Sequence, residues 1–415
     1  VNIVKLPRLV KVQQDLYEAR VDDVRVAVQQ ELRGAGLDRR IRKGMRIAIT
    51  AGSRGVASID KILAAVVEFV SDAGGKPFLF PAMGSHGGGT PQGQIGILAT
   101  LNVTEQTVGA PIRATMETKV IGKTVSGHPV HLDRYAHEAD GVIAVNRIKW
   151  HTDFTGKIES GLCKIMAIGM GKIHGAEYLH TFGSAGLRDL IPECARVMID
   201  SNKLLMGLAV IENGTHEVAR LVAVPPDKIF EAEERLLRFV KQRAPKVPFK
   251  DIDVLIVDRM GKDISGAGMD TKTIGRMKIK GEPEPAQPNP KAIVVLDLTD
   301  ASHGNAAGIG LADFTTQRLA HKIDWHHTAL NTITSGFLWR INMPYILPTD
   351  EEAIWTALQA ARATDPKTAR VVRIKDTLSL REIYVSEAMI PEVNADPKLH
   401  LVGKPQAMRF NGDKG

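Results

Sequence analysis

Between Tyr17 and Leu32, apolar side chains at Tyr17, Val21, Val24, Val28 and Leu32 return every three or four positions, the period of a helix with one face on a core. Gly34 and Gly36 supply its stop. A short apolar run from Met45 to Thr50 follows, then the turn AGSRG, then the helical segment SIDKILAAVVEFVSDAGG. Ser58 is its candidate N-cap, and Gly74 and Gly75 its end. Pro77 to Phe80 is another short apolar run, followed by PAMGSHGGGT and a helical stretch from Ile95 to Leu101. The segment ADGVIAVNRIK reads as a buried strand with Asn146 to His151 at its carboxyl mouth. Apolar strands that end in polar turns and lead into helices predict an open α/β sheet, in which ligand sites collect outside the carboxyl ends of the strands.

After the charged helical segment EAEERLLRFVKQR, the stretch APKVPF marks a boundary near Pro245. Beyond it, Asp253 to Val257 and Ala292 to Leu296 read as buried strands, and the proline-rich Gly281 to Pro290 between them as a loop. EEAIWTALQAARA is helical and Ala369 to Ile374 is a further strand, while the last segment, with Pro391, Pro397 and Pro405, has little periodicity. The expectation is an α/β protein of two α/β domains, residues 1–245 and 246–395, with a tail at 396–415 that packs back on the N-terminal domain.

A length of 415 residues agrees with more than one domain, since a single core rarely grows beyond about 250 to 300 residues. With 38 glycines and 21 prolines, neither a collagenous nor a wholly disordered chain fits. The formal charge of +7 comes from 54 Lys and Arg against 47 Asp and Glu, dispersed along the chain. No basic face with stacking aromatics marks a nucleic-acid partner, and the run Arg39, Arg40, Arg42, Lys43 and Arg46 reads as a solvated helix end or connection. The charge leaves room for small anionic ligands. Cys163 and Cys194 cannot build a disulfide framework and lack CxxC spacing. No apolar run reaches the roughly 18 residues of a membrane span, so a soluble cytoplasmic protein with no membrane partner is expected. Whether it pairs as a homodimer stays open.

His86 lies in MGSHGGGT, where glycines let backbone donors approach an anion; a structural loop, anion binding and proton chemistry are all compatible with it. His151 leads through HTDFTGKIESGLCK to Lys164. A histidine exchanges protons near neutral pH and a lysine can anchor a carbonyl-derived cofactor, although a hydrogen-bonded loop histidine and a surface lysine account for the same letters. In GKIHGAEYLH, His174 and His180 stand six apart, unlike the two histidines of HExxH. His180 is therefore either a structural histidine or one ligand of a metal whose other donors belong to a cofactor. In the second half, Lys262 in DRMGKDISGAGMD could hold an anion or be solvated, Asp258, Asp263 and Asp270 read as solvated or structural, and His303 likewise. In HKIDWHHT, a continuous helix places His321 beside Trp325, with His326 and His327 on different faces.

The order and spacing of these residues resemble the nickel-dependent lactate racemase family, whose members racemise or epimerise 2-hydroxy acids. The resemblance is concentrated from Thr50 to His180, and the 16 positions between Lys164 and His180 carry much of it. It implies a nickel-pincer nucleotide (the nickel complex of pyridinium-3,5-bisthiocarboxylic acid mononucleotide) tethered to Lys164, with His180 as the nickel ligand. By the same resemblance, His86 and His151 are the acid/base pair on opposite faces of the substrate carbon. TAGSRG is similar to the loop that contacts nucleotide and substrate, which puts Thr50 and Ser53 near the cofactor and Arg54 on the substrate carboxylate, a contact suited to a guanidinium. Lys262 is a second carboxylate contact. The implied reaction moves hydride reversibly from a small 2-hydroxy acid through a transient 2-keto acid, in a cleft between the two domains with residues 1–245 as the cofactor- and nickel-binding part. Competing readings are a cofactor-dependent hydro-lyase or oxidoreductase and a noncatalytic anion-binding protein.

Overall fold

The computed structural model describes residues 5–53 and 55–410. Two compact units form: one contains residues 17–244, and the other joins the N-terminal residues up to Leu16 to the chain from Pro245 onward. The first strand, β1 (Leu9–Gln14), thus belongs to the second unit.

The unit of residues 17–244 contains β2 (Arg46–Ala51), β3 (Lys76–Pro81), the hairpin β4 (Thr118–Lys123) and β5 (Pro129–Asp133), β6 (Gly141–Arg147), β7 (Leu204–Glu212) and β8 (Val218–Val224). Its main sheet runs β3-β2-β6-β7-β8, parallel except for the antiparallel β8. Alternation along the strands sends side chains to two cores. Ala48, Phe80, Val142 and Ala144 enter one, while Ile47, Ile49, Leu79, Ile143 and Val145 enter the other. Two-sided burial is why these strands read as continuous apolar runs rather than as alternating ones.

In the second unit, β9 (Asp251–Val257), β10 (Asn289–Val295), β11 (Phe314–Thr316), β12 (Tyr345–Leu347), β13 (Val371–Ile374), β14 (Glu382–Ser386) and β15 (Leu399–Gln406) join β1 in one sheet. The order is β12-β11-β10-β9-β13-β14-β1-β15; the first five strands are parallel and the remaining pairings antiparallel. The terminal segment pairs through β15 with β1. Only Leu399 of that edge strand is buried, so it carries no apolar alternation by which to read it.

Three local expectations change. The first helix spans Val24–Gly34, capped by the Asp23 side chain on the Val26 N–H, because the backbone of residues 17–22 is tied to the β7–β8 hairpin through Val21 and Tyr17. Ser58 precedes the helix Ile59–Asp72 but has φ +52° and makes no side-chain cap. His321 ends one helix and Trp325 begins another, capped by Asp324, so the two do not share a helical face. Among the described residues, no helix is long and apolar enough to cross a membrane.

Candidate functional site

Three parallel neighbours, β3, β2 and β6, send their carboxyl ends into the loops that hold His86, Ser53 and His151. The chain leaves β2 for β3 on one side and returns to β6 on the other, so the sheet reverses its winding between β2 and β6. At such a point the two following loops diverge and open a crevice. The mouth is braced by Glu212 at the end of β7, whose carboxylate accepts from Arg147 Nη1 of β6 at 2.5 Å and from the Ala57 N–H after β2 at 2.9 Å. Burial pushes this carboxyl up, but His216, Arg147 and Ala57 together outweigh it and hold the group at about 2.

His86 is exposed at the head of the triple-glycine turn. Gly87, Gly88 and Gly89 all have φ between +63° and +67°, and a Cβ on Gly87 would collide with the backbone of Gly93. The turn therefore needs glycine to fold back on the helix Pro91–Thr100. Nδ1 of His86 lies 2.5 Å from the Met83 carbonyl. A carbonyl only accepts, so this contact puts the proton of a neutral ring on Nδ1 and leaves Nε2 as its basic nitrogen.

His151 sits in a loop closed by the paired backbones of Lys149 and Ser160. Inside it, the buried Glu159 accepts from the His151 N–H at 2.6 Å, the Gly156 N–H at 3.0 Å and Lys241 Nζ at 2.5 Å. The fully buried Phe154 stacks on the imidazole with centroids 4.4 Å apart and planes 21° apart. On the imidazole edge, the Asp153 N–H donates to Nδ1 at 3.1 Å and Lys164 Nζ lies 2.8 Å from Nε2. With Nδ1 accepting, a neutral ring carries its proton on Nε2, the nitrogen that faces Lys164.

Lys164 closes the short turn Leu162–Lys164 and leads into a π-helical turn, Ile165–Gly169, a feature frequent at functional sites. The start of this turn is held from outside. Asn146 Nδ2 donates to the Gly161 carbonyl at 2.6 Å, and the Cys163 N–H donates to Glu233 Oε2 at 2.8 Å. Burial drives the Glu233 carboxyl up to about 7 against the pull of the Cys163 and Leu162 donors. His180 ends the helix Lys172–His180. Its ring keeps an exposed surface, yet the protein packed around it is the largest influence on its pKa, which is lowered; the Lys164 charge adds to this and Asp153 opposes it. His151, Asp153, Lys164 and His180 thus share one neighbourhood.

The remaining candidates are placed differently. Thr50 is fully buried, and its hydroxyl accepts from the Val145 N–H at 2.8 Å and donates to the Val145 carbonyl at 3.2 Å, so both its functions are used in joining β2 to β6. Ser53 is half-buried in the loop after β2, and Arg54 lies outside the described residues. Lys262, in the second unit, donates through Nζ to the Gly266 carbonyl at 2.6 Å. His303, His321, His326 and His327 are exposed residues of that same unit, with His327 beside Asp324 at 3.1 Å. Sequence reasoning missed Glu159, Glu233 and Phe154, which hold the site from within; burial is their signature, and buried carboxylates carry no local motif.

The donor set fits one covalent anchor and one metal nitrogen. Among the described residues, no three His, Cys, Asp or Glu side chains converge as a metal site, so a metal held by His180 would take its other donors from a bound group. The neutral imidazole favoured at His180 is the form that ligates metals.

Residues 6–182 match the lactate racemase N-terminal domain. The structure of a lactate racemase apoprotein from Thermoanaerobacterium thermosaccharolyticum has a similar fold: TM-score 0.50 at 14% identity, over 89% of this chain and 94% of that one. A protein from Thermotoga maritima aligns with TM-score 0.48 at 11% identity, over 68% of this chain and 72% of that one. No curated protein matches the chain. Over residues 6–182, then, this chain is similar to the lactate racemase N-terminal domain, and its fold is similar to that of the lactate racemase apoprotein.

Proposed function

We propose that this protein racemises or epimerises a small 2-hydroxy acid with the help of a nickel-pincer nucleotide joined to Lys164. The observation that carries this reading is the 2.8 Å contact between Lys164 and His151 at the carboxyl side of β6, within the region matched to the lactate racemase N-terminal domain. The chemistry such a group supplies when bound is reversible hydride acceptance, which side chains lack.

The chain's own residues have separate tasks in this reading. Lys164 anchors the group and His180 donates one nitrogen to nickel. His86, with Nδ1 turned to Met83, takes a hydroxyl proton at Nε2, and His151 carries the corresponding proton for the opposite configuration. Ser53 contacts the nucleotide, while Arg54 holds the substrate carboxylate. Residues 17–244 contain the anchor, the nickel ligand and both proton carriers.

The test is peptide mass spectrometry paired with elemental nickel analysis on protein coexpressed with nickel-pincer biosynthesis. A Lys164-linked adduct with stoichiometric nickel is expected. Cofactor-supplied protein with neither would overturn the proposal, and net redox turnover would favour an oxidoreductase.

A further inference from the structure

Lys172 has no exposed surface, an unusual position for an ammonium. Its Nζ donates to the Pro81 carbonyl at 2.7 Å and to Gln94 Oε1 at 2.5 Å, and Asp133 Oδ2 lies 3.8 Å away. These partners belong to the last residue of β3, the helix Pro91–Thr100, and the end of β5, where Asp133 caps the helix Arg134–Glu138. One cation therefore joins three elements around the loop that holds His86.

Gln94, also fully buried, passes the connection on. Its Nε2 donates to the Gly84 carbonyl at 2.9 Å and to the His86 carbonyl at 3.3 Å. The orientation of this amide follows from its neighbours: an ammonium only donates, so it takes the amide oxygen, and two carbonyls only accept, so they take the amide nitrogen. Lys172 thus fixes which way Gln94 faces, and Gln94 fixes the backbone on both sides of Ser85. The Lys172 backbone has φ +56°, a left-handed conformation that costs a side-chain-bearing residue about 1 kcal/mol or more. Asp133 Oδ2 has no hydrogen-bond partner, another cost of keeping charge at this place. Burial also draws the Lys172 ammonium down to about 8 and pushes the Asp133 carboxyl up to about 6.

We propose that Lys172 is a positioning residue for His86, acting through Gln94 to hold the loop in which the Nδ1 of His86 reaches the Met83 carbonyl. The inference rests on the reading of His86 as a proton carrier. It assigns no substrate contact to Lys172.

The test uses Lys172→Met, Gln94→Glu and Gln94→Met. Gln94→Glu keeps an acceptor for Lys172 but removes the amide donor to the loop, and Gln94→Met removes both with little change of volume. Nitrogen-15 NMR of the His86 ring in cofactor-free protein reads the tautomer directly. In the wild type, the neutral ring is expected with its proton on Nδ1. In the folded variants, the signals should move to a mixture of tautomers, with the titration midpoint displaced by roughly half a unit or more. In cofactor-loaded enzyme, kcat should fall roughly tenfold or more while KM stays within about twofold. A variant that changes only the melting temperature and keeps the wild-type His86 ring signals would overturn the proposal. Full activity of a loaded His86→Gln enzyme would instead remove the proton-carrier role, while a tautomer shift in the variants would still support the coupling.

Discussion

Nζ of Lys164 stands 2.8 Å from Nε2 of His151 although 13 positions separate them. The intervening chain leaves β6, closes on itself through Lys149 and Ser160, and returns as the turn that begins at Leu162. The loop fold, rather than sequence proximity, brings an amine and an imidazole together beside the reversal point of the sheet.

If the tasks divide as proposed, three variants made with nickel-pincer biosynthesis should separate them. Lys164→Ala should carry no adduct, His180→Ala should retain the adduct but lose most of its nickel, and His86→Gln should keep both. Mass spectrometry and elemental analysis of the same preparations check this. Equal nickel loss in the His86 and His180 variants would contradict the assignment of His180.

Phe154 is fully buried and stacked on the His151 ring. Phe154→Ala should destabilise the unit by about 3–5 kcal/mol, through lost burial and the cavity that remains. Urea unfolding is the measurement, and a loss below about 1 kcal/mol would mean that the loop is not packed as described.

Because the Thr50 hydroxyl is used between β2 and β6, Thr50→Val should cost about 1–3 kcal/mol by leaving the Val145 N–H and carbonyl without that partner. Adduct formation and nickel content should stay at wild-type levels. Loss of the adduct in a stable Thr50→Val protein would instead support Thr50 as a cofactor contact.

Glu233 predicts a pH dependence. Burial raises its carboxyl from 4.5 to about 7, so the folded state holds a proton that the unfolded chain releases. The associated stability is fully present below about pH 4.5 and is lost as pH rises through about 7, a change of roughly 3 kcal/mol. Glu233→Gln should lack this decline. Urea midpoints measured from pH 5 to 8 should fall less for the variant, and parallel curves would contradict the buried, raised carboxyl.

Much of the first sheet is legible in the chain. The run GVIAVNR forms β6, and His151 lies beyond its carboxyl end, as the polar letters after an apolar strand predict. Legibility fails where pairing partners are distant or periodicity is coincidental. Tyr17 and Val21 continue a helical spacing but lie outside the helix, because the β7–β8 hairpin binds their backbone. The exposed edge strand β15 has no apolar alternation, and its pairing with β1 spans nearly the whole chain. Within the site, the letters of His86, His151, Lys164 and His180 announce chemistry, but the residues that orient them do not. Gln94 is 78 positions from Lys172 and Glu233 is 70 from Cys163, separations at which no local pattern links two side chains.

The central claim is stereochemical interconversion, and chiral chromatography tests it most directly. Protein verified to carry the Lys164 adduct and nickel would be incubated with single enantiomers of small 2-hydroxy acids, lactate and malate among them. The account predicts that at least one pure enantiomer becomes a mixture of both configurations without net oxidation, and that Lys164→Ala abolishes the change. Verified, loaded protein that leaves lactate, malate and bulkier 2-hydroxy acids unchanged would contradict it.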